Sequence, residues 1–386
     1  APIYRRPMKR PAYLSNVQRL SLRAIPQPKD YNRALLSLLE APNIADKAFV
    51  YQQYDHMVQT NTVVLPGRAD AAVLRIKETG ALLATTIDGN GAYCYLDPYE
   101  GGKLAVAEAA RNLACVGATP LAVTDCLNFG NPQDPQIMWQ FAQCVRGISD
   151  ACRAFGTPVT GGNVSLYNES PSGAIDPTPV IGMVGLVEHG RPVTANFKND
   201  GDTILLLGRT REELGGSEYL KTIHRKKLGL PPRVELAAEW RLVRCLVDAA
   251  ARGLLQSAHD CAVGGLAVTL AECCIMDADH RIGATIRPQS TVSATPPGGS
   301  AKPVGGHSPR KIRTDAALFG ESSGRAVVSC RPEDQAAVEA LARTSRVPVA
   351  VLGQVGGTRL RIEPWCDLSI DELDVAWRGA LERVVS

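Results

Sequence analysis

The chain has 386 residues, enough for two or more domains with sizeable cores, and its hydrophobic fraction of 45% is ordinary for a globular protein. Its net charge of +3 is too small to indicate a nucleic acid partner. No apolar stretch approaches the roughly 20 residues that cross a bilayer, and the first residues lack the apolar core of a signal peptide, so we expect a cytoplasmic protein without a membrane partner.

The first 58 residues are predicted to be a linker and lead-in. Five prolines between residues 2 and 28 interrupt regular structure, and the basic cluster between residues 5 and 10 is typical of a solvated, extended segment. The chain starts with Ala rather than Met. We therefore expect this segment to connect the chain to a preceding domain of a longer polypeptide.

Apolar patterns then predict two domains of mixed α/β (α+β) structure, separated by a change of composition over residues 188–201. In the first domain, 59–190, strands are predicted at 71–76, 82–87, 121–126 and 180–187, and helices at 103–116 and 135–155. In the second, 200–360, strands are predicted at 202–208, 325–330 and 349–355, and helices at 235–255 and 265–276.

Two further segments have a distinct composition. Residues 289–312 are rich in Ser, Pro, Gly and Lys, and such a segment buries too little apolar surface to order itself. They are predicted to be a flexible insertion in the second domain. Residues 361–386 are predicted to form a C-terminal helix.

The segment 159–170 is the most informative stretch of the chain. Gly161 and Gly162 open onto Asn163, Ser165 and Asn168, which predicts a backbone-exposed turn surrounded by oxygen ligands. Glycine lets the main chain approach a charged ligand closely, and Asn and Ser oxygens suit Mg²⁺. An ordinary loop between strands is the alternative interpretation, because the chain contains no P-loop pattern of the type GxxxxGK[ST].

Other polar residues follow predicted strands in the same domain. Asp88 comes directly after one strand, and Asp125 ends another. Between them, Glu108 and Asn112 are four residues apart in a predicted helix, so they share one face. This spacing can present two oxygen ligands to one ion, although a pair of this kind is more often a solvated helix face.

These motifs together resemble the phosphoribosylformylglycinamidine synthase family, the ATP-dependent, amidine-forming enzymes of purine biosynthesis. The match is to the C-terminal half of the synthetase subunit of the small, multi-subunit type, within the AIR-synthetase-like superfamily. It includes Asp125-Cys-Leu-Asn-Phe-Gly-Asn-Pro and Thr160-Gly-Gly-Asn-Val-Ser-Leu-Tyr-Asn-Glu. The resemblance is also carried by residues 51–63, 95–102, 107–112, 214–220, 259–268 and 319–325.

The resemblance implies a two-domain AIR-synthetase-like unit. In the family, its N-terminal-type domain pairs with that of a related half, and the two sheets close into a β-barrel beside C-terminal-type α/β domains. The implied reaction uses ATP and Mg²⁺ to convert formylglycinamide ribonucleotide and glutamine-derived ammonia into formylglycinamidine ribonucleotide. The implied partners are the N-terminal half of the enzyme, a glutaminase subunit and a small accessory subunit.

The resemblance also implies roles for individual residues. Asp125 and Gly162 are expected to contact ATP, Asn163 to bind Mg²⁺, and Ser165 to contact the substrate. No catalytic residue is expected in this chain, because the Thr-His-Asn-His-type motif of the family's first half is absent. His56 lies in a degenerate counterpart of such a motif, and a structural or surface role is expected for it. The isolated chain is therefore predicted to be inactive.

A second, auxiliary nucleotide and metal site is implied by the larger single-chain members of the family. Asp88, Glu108, Asn112 and Asp260 match its metal ligands. The segment after Asp260 departs from the family pattern, which usually has Ser and Asp where this chain has Ala262 and Val263. The alternative is that Asp260 only caps the helix that begins near residue 264.

Two other interpretations stay open. Other ATP-using members of the superfamily fit less well, because the chain lacks a C-terminal cysteine and an early reactive cysteine. The chain could also be a non-catalytic half, holding ADP or no nucleotide and serving as a platform for the glutaminase and the accessory subunit. On either interpretation, the barrel-forming face would expose apolar strand surface, so the isolated chain is expected to form a homodimer.

Overall fold

The computed structural model describes residues 4–287 and 312–385. The predicted flexible insertion, 289–312, lies outside the described residues except for Ile312, which is buried. The described chain contains two sheets of six and seven strands and one small hairpin sheet. Helices pack against both large sheets, so the architecture is the mixed α/β structure predicted from the sequence.

The first domain is built around the six-stranded sheet. The strands of this domain are β1 Thr62–Val64, β2 Ala72–Arg75, β3 Leu82–Asp88, β4 Thr119–Asn128, β5 Val159–Ser165, β6 Glu169–Ser170, β7 Gly173–Ala174 and β8 Thr178–Val187. The large sheet has the order β1-β2-β3-β8-β4-β5, and the hairpin β6-β7 stands apart. All neighbours in the large sheet are antiparallel except the pair β4 and β5. Strand β5 therefore forms one edge of the sheet.

Two long helices cover one face of this sheet. The helices of this half of the chain are α1 Leu14–Val17, α2 Tyr31–Leu39, α3 Ala48–Tyr51, α4 Gly91–Leu96, α5 Pro98–Cys115 and α6 Pro135–Phe155, with short 3-10 turns at Leu22–Ala24 and Val58–Thr60. The side chains of Asp97 and Asp134 accept hydrogen bonds from backbone N–H groups in the first turns of α5 and α6, respectively. A proline follows each of these N-cap residues. Helix α6 ends at Gly156, whose left-handed backbone suits glycine.

No helix among the described residues covers the opposite face of the sheet. Cross-strand pairs place Ile87 beside Gly182 and Thr85 beside Val184 on this open face. Ile87 is 75% exposed, whereas every second residue of β8 is buried against the helices. An exposed, partly apolar sheet face of this kind is a surface that a second domain can cover.

The second domain surrounds the seven-stranded sheet. Its strands are β9 Thr203–Gly208, β10 Ser257–Asp260, β11 Ala284–Ile286, β12 Arg325–Cys330, β13 Val349–Val355, β14 Arg359–Ile362 and β15 Cys366–Ser369. Its helices are α7 Glu218–His224, α8 Leu236–Ala251, α9 Gly265–Ile275, α10 Thr314–Phe319, α11 Gln335–Thr344, α12 Ile370–Arg378 and α13 Ala380–Val385, with a 3-10 turn at Pro332–Asp334. The strand order is β10-β12-β9-β13-β11-β14-β15, in which only β11 and β14 are parallel.

The most apolar helix of the second domain is α9, and nearly all of its residues are buried. It has only 11 residues. Within the ranges 4–287 and 312–385, no helix is both long and apolar enough to cross a membrane.

The two ends of the chain differ from the sequence-based expectation. The lead-in is not an extended connector, because α2 begins at an Asp30 cap and buries Leu35, Leu38 and Leu39 in the core of the second domain. The prolines at 26 and 28 precede this amphipathic helix instead of interrupting it. The predicted single helix over 361–386 is also wrong, because strand β15 comes before α12 and α13.

Candidate functional site

The four residues predicted to bind ATP, Mg²⁺ and substrate lie on the adjacent parallel strands β4 and β5. Asp125 pairs with Gly162, Cys126 with Asn163, and Asn128 with Ser165. The predicted glycine turn is wrong, because Gly161 and Gly162 are inside strand β5. A Cβ atom at Gly162 would overlap the Asp125 carboxylate, so glycine at this position allows the two strands to approach.

Strand alternation divides these residues between the two faces of the sheet. Asp125 and Gly162 lie on the helix-covered face, since the neighbours of Asp125 at alternate positions, Val123 and Leu127, are buried. Asn163 lies on the open face, where its amide nitrogen is 3.8 Å from Cys126 Sγ. A ligand that contacts all four residues must therefore cross the exposed edge of β5.

A loop after β5 fixes the position of Ser165. The Asn168 amide donates hydrogen bonds to the carbonyl oxygens of Phe129 and Ser165, at 3.1 and 3.0 Å. It also lies 3.0 Å from the Ser165 hydroxyl. Asn168, singled out in the sequence as a possible cation ligand, is thus used to hold the loop, and Ser165 is positioned by it.

The arrangement fits one Mg²⁺ ligand on the open face. The Asn163 side-chain oxygen makes no hydrogen bond to a described residue, and an amide oxygen is a ligand that Mg²⁺ accepts. Mg²⁺ at a nucleotide site usually takes one or two protein oxygens and completes its shell with phosphate and water. Asp125 cannot join Asn163 as a direct ligand on that face; burial raises the pKa of its carboxyl group.

The residues of the predicted auxiliary site lie close together between the two domains. Asn112 on α5 donates a hydrogen bond of 2.8 Å to Asp88 at the end of β3. Burial, reinforced by the nearby Asp260 carboxylate, raises the pKa of Asp88 to about 7. Burial and the Asp88 and Asp260 carboxylates raise the pKa of Glu108 well above its usual range. Burial and mutual repulsion thus favour the neutral forms of these carboxyl groups in the absence of a cation.

Arg111 competes with a metal ion for part of this cluster. Its guanidinium binds both oxygens of Asp260, at 2.7 and 3.3 Å, and donates to Glu239 at 3.0 Å and Ser323 at 3.2 Å. Asp260 is therefore committed to an ion pair. No group of three or more His, Cys, Asp or Glu side chains in the described parts of the chain is arranged as a metal site.

The suggestion that Asp260 caps helix α9 is wrong. The N-cap residue of α9 is Gly264, and its N–H donates to Glu321 at 2.8 Å. Glu321 also accepts a hydrogen bond of 2.9 Å from the N–H of Glu218 at the start of α7, and another from the Tyr93 hydroxyl. One buried carboxylate thus caps two helices, and burial raises its pKa to about 7.

A second buried cluster joins the domains beside the Arg111 ion pairs. His259 Nδ1 lies 2.6 Å from Asp70 of the first domain, and its Nε2 lies 3.1 Å from Glu272 of the second. Burial opposes protonation of this ring, but the Asp70 and Glu272 interactions raise the pKa of His259 well above its usual value. His56, by contrast, is exposed and packs edge-on against Tyr51.

Arg111 and Glu321 were not predicted from the sequence as site residues. Both lie inside segments that were singled out, Ala107–Asn112 and Phe319–Arg325. The available signal for Arg111 was its position in an alanine-rich helix, one residue from Asn112 and three from Glu108, where a buried cation needs acidic partners.

Comparison with known families assigns both domains. Residues 68–187 match the family model for the AIR synthase related protein, N-terminal domain, and residues 199–363 match the C-terminal domain of the same family. The chain belongs to the AIR synthase-related family. The two matches cover all strands of the six-stranded sheet except β1 and all strands of the seven-stranded sheet except β15, so the AIR-synthetase-like fold expected from the sequence is confirmed.

Individual members of the family are similar over the whole chain. Phosphoribosylformylglycinamidine synthase subunit PurL of Moorella thermoacetica is 47% identical over 385 residues, which are 98% of this chain and 49% of that protein. This chain thus spans about half the length of that relative. T. maritima PurL complexed with FGAR has a TM-score of 0.68 at 16% identity, covering 90% of this chain and 54% of the other. PurLQS from Thermotoga maritima has a TM-score of 0.62 at 17% identity, covering 94% and 54%.

Proposed function

We propose that this chain supplies the C-terminal half of the active site of a phosphoribosylformylglycinamidine synthase. The observation that carries the proposal is the alignment of Asp125, Gly162, Asn163 and Ser165 on β4 and β5, in a chain 47% identical to half of a PurL subunit. The substrates are ATP, formylglycinamide ribonucleotide (FGAR) and ammonia released from glutamine by a partner subunit.

The residues of this half have binding roles. Asp125 and the backbone at Gly162 contact ATP on one face of β5, and the Ser165 hydroxyl, held by Asn168, contacts FGAR on the other. Asn163 supplies an amide oxygen to Mg²⁺, which when bound neutralises phosphate charge. In the reaction, ATP phosphorylates the substrate amide oxygen, and ammonia then displaces phosphate to leave the amidine.

The rest of the site comes from the N-terminal half of the enzyme, which pairs with this chain. The open face of the six-stranded sheet supports this pairing, because it carries Ile87 and Val180 without a covering helix. Closing two such sheets into a barrel would bury the apolar face and place a second set of residues beside β5. A glutaminase and a small accessory subunit are the further partners. This part of the proposal is supported by the structural similarity of the chain to PurLQS from Thermotoga maritima.

The split site is tested by measuring phosphate release from ATP in the presence of FGAR and ammonia. We expect no turnover from this chain alone, none from a purified N-terminal half, and turnover when the two are mixed. Activity of this chain alone would contradict the proposal, because its reactive groups would then all lie in this half.

A non-catalytic half that holds a nucleotide is the second candidate function. The specific observation in its favour is the buried cluster of the Asp88, Glu108 and Asp260 carboxyl groups, because a bound cation would stabilise the ionised forms of Asp88 and Glu108 that burial otherwise disfavours. Asn112 and Asp88 would hold the metal, while Asp260 stays with Arg111. This function predicts nucleotide binding to the chain and no phosphate release in any mixture.

Without its partner half, this chain is expected to form a homodimer through the open sheet face. Sedimentation velocity at micromolar concentration should show a dimer, and Ile87→Lys should shift the population to monomer because it places a charge in the apolar contact. Val375→Lys, at another exposed apolar position, on α12, is the control and should leave the dimer intact. A well-behaved monomer of the unsubstituted chain would contradict this expectation.

A further inference from the structure

The second domain contains a polar cavity that lies away from the β4 and β5 site and borders the Arg111 ion pairs, with which it shares Glu239 and Ser323. Its volume is about 260 Å³, and it lies between the end of β9, the first turns of α8 and the turn that precedes β13. Four arginines from these elements line it: Arg209, Arg211, Arg241 and Arg346. None of its lining residues lies on β4 or β5, so the inference does not depend on the reaction proposed above.

The positive charge of this cavity is only partly neutralised by protein carboxylates. Glu235 and Glu239 also line it. Glu235 is paired with Arg211 at 2.9 Å, and Glu239 is bound to Arg111 outside the cavity and to Ser323. Arg209, Arg241 and Arg346 form no ion pair with any residue in the ranges 4–287 and 312–385. Their three charges are therefore available to a ligand.

Arg241 carries the strongest indication of a ligand. Its Nε atom is buried and has no hydrogen-bond partner among the described residues. A buried donor of a charged group that stays unpaired is costly, and nearly all such groups in folded proteins have a partner. Because Arg241 lines the cavity, an anion there would provide the missing acceptor once the guanidinium group turns toward it.

The C-terminal turn of helix α11 brings Arg346 to the same cavity. Arg346 follows the helix with a φ of +57°, and the Val347 N–H donates to the Ala342 carbonyl oxygen at 2.8 Å, as in a left-handed helix C-cap. Arg346 lines the cavity together with Arg209 and Arg241.

We propose that this cavity binds a small anion that carries one or two phosphate groups. Arginine guanidinium groups suit phosphate because they donate several hydrogen bonds from a planar fork. The cavity volume equals that of roughly nine water molecules at about 30 Å³ each, and it is below the range of about 300–1,000 Å³ that is usual for ligand pockets. Arg241 is half-buried at the cavity, whereas Arg209 and Arg346 are exposed. A small anion that enters the cavity can therefore approach all three more readily than a protein carboxylate or a nucleic acid backbone can.

The test is calorimetric titration of the full chain with sodium pyrophosphate, and separately with inorganic phosphate, in chloride buffer. We expect pyrophosphate to bind at one site in this cavity. Arg241→Gln and Arg346→Gln should each weaken that binding by about tenfold or more, because each removes a charge-assisted hydrogen bond. Arg244→Gln is the matched control, since Arg244 is exposed on α8 and lies outside the cavity. The affinity of this variant for pyrophosphate should differ from that of the unsubstituted chain by less than about twofold.

Three results would overturn the proposal. The first is the absence of binding by either anion at millimolar concentration. The second is an equal loss in Arg244→Gln, which would indicate non-specific attraction to basic surface. The third is binding that survives both cavity substitutions but is lost in Asn163→Ala, which would place the anion at β5. Arg346 is exposed, so its variant keeps the test valid if Arg241→Gln fails to fold.

Discussion

Replacement of Arg111 by methionine should lower the free energy of unfolding by about 3–5 kcal/mol, because it leaves buried carboxylates without their cation. Arg111 is only 2% exposed, and it binds Asp260 and Glu239 of the second domain from helix α5 of the first. Methionine keeps much of the side-chain volume, so the loss is mainly electrostatic. The shift of the urea midpoint, followed by circular dichroism, measures the effect.

Two controls separate the buried charge from other effects of this substitution. Arg244→Met replaces an exposed arginine and should change stability by no more than about 0.5 kcal/mol. Adding Asp260→Asn and Glu239→Gln to Arg111→Met should restore part of the lost stability, since these changes remove the unpaired charges. If the triple variant is less stable than Arg111→Met alone, the cause is lost packing and the ion-pair explanation is wrong.

The regular elements of both domains could be predicted because their local sequence signals agree with their packing. Helix α6 occupies the predicted range 135–155, bounded by Asp134 with Pro135 at its start and Gly156 at its end. The short apolar run at 325–330 is strand β12, which lies inside the second sheet and is buried on both faces. In these elements, the capping residues and the apolar pattern are sufficient to predict the type and the bounds of the element.

Strand β5 could not be predicted because its sequence has the composition of a turn. Gly161 and Gly162 weaken strand propensity, and all but the last of its residues are exposed. The strand forms through parallel pairing with β4, in which Gly162 makes room for Asp125. Helix α2 escaped prediction for a related reason: its apolar stripe packs against a domain that begins more than 150 residues later.

The ion pairs between the domains are also invisible in the sequence. Arg111 meets partners 128 and 149 residues away, and Glu321 caps helices that begin near residues 218 and 264. Such residues become neighbours only when the domains pack together, so no local spacing in the sequence indicates the pairing. The sequence therefore indicated Asp88, Glu108, Asn112 and Asp260 as possible metal ligands without revealing the arginine among them.

Asn163→Ala in the complete enzyme should lower kcat/KM by about 100-fold at low magnesium concentration, with partial recovery as magnesium is raised. The reason is that Asn163 offers the open face of β5 an amide oxygen that forms no hydrogen bond to a described residue. Phosphate release measured over a range of FGAR concentrations, at saturating ATP and at each of several magnesium concentrations, gives kcat/KM and its dependence on magnesium.

Two substitutions show whether this effect belongs to the amide oxygen. Asn163→Asp keeps an oxygen ligand and adds charge, so it should retain more activity than Asn163→Ala and need less magnesium. Val164→Ala changes the next residue of β5, which points to the opposite face, and should leave the magnesium dependence unchanged. If Asn163→Ala and Val164→Ala lose activity equally at every magnesium concentration, the effect comes from disturbance of the edge strand, and Asn163 is not the metal ligand.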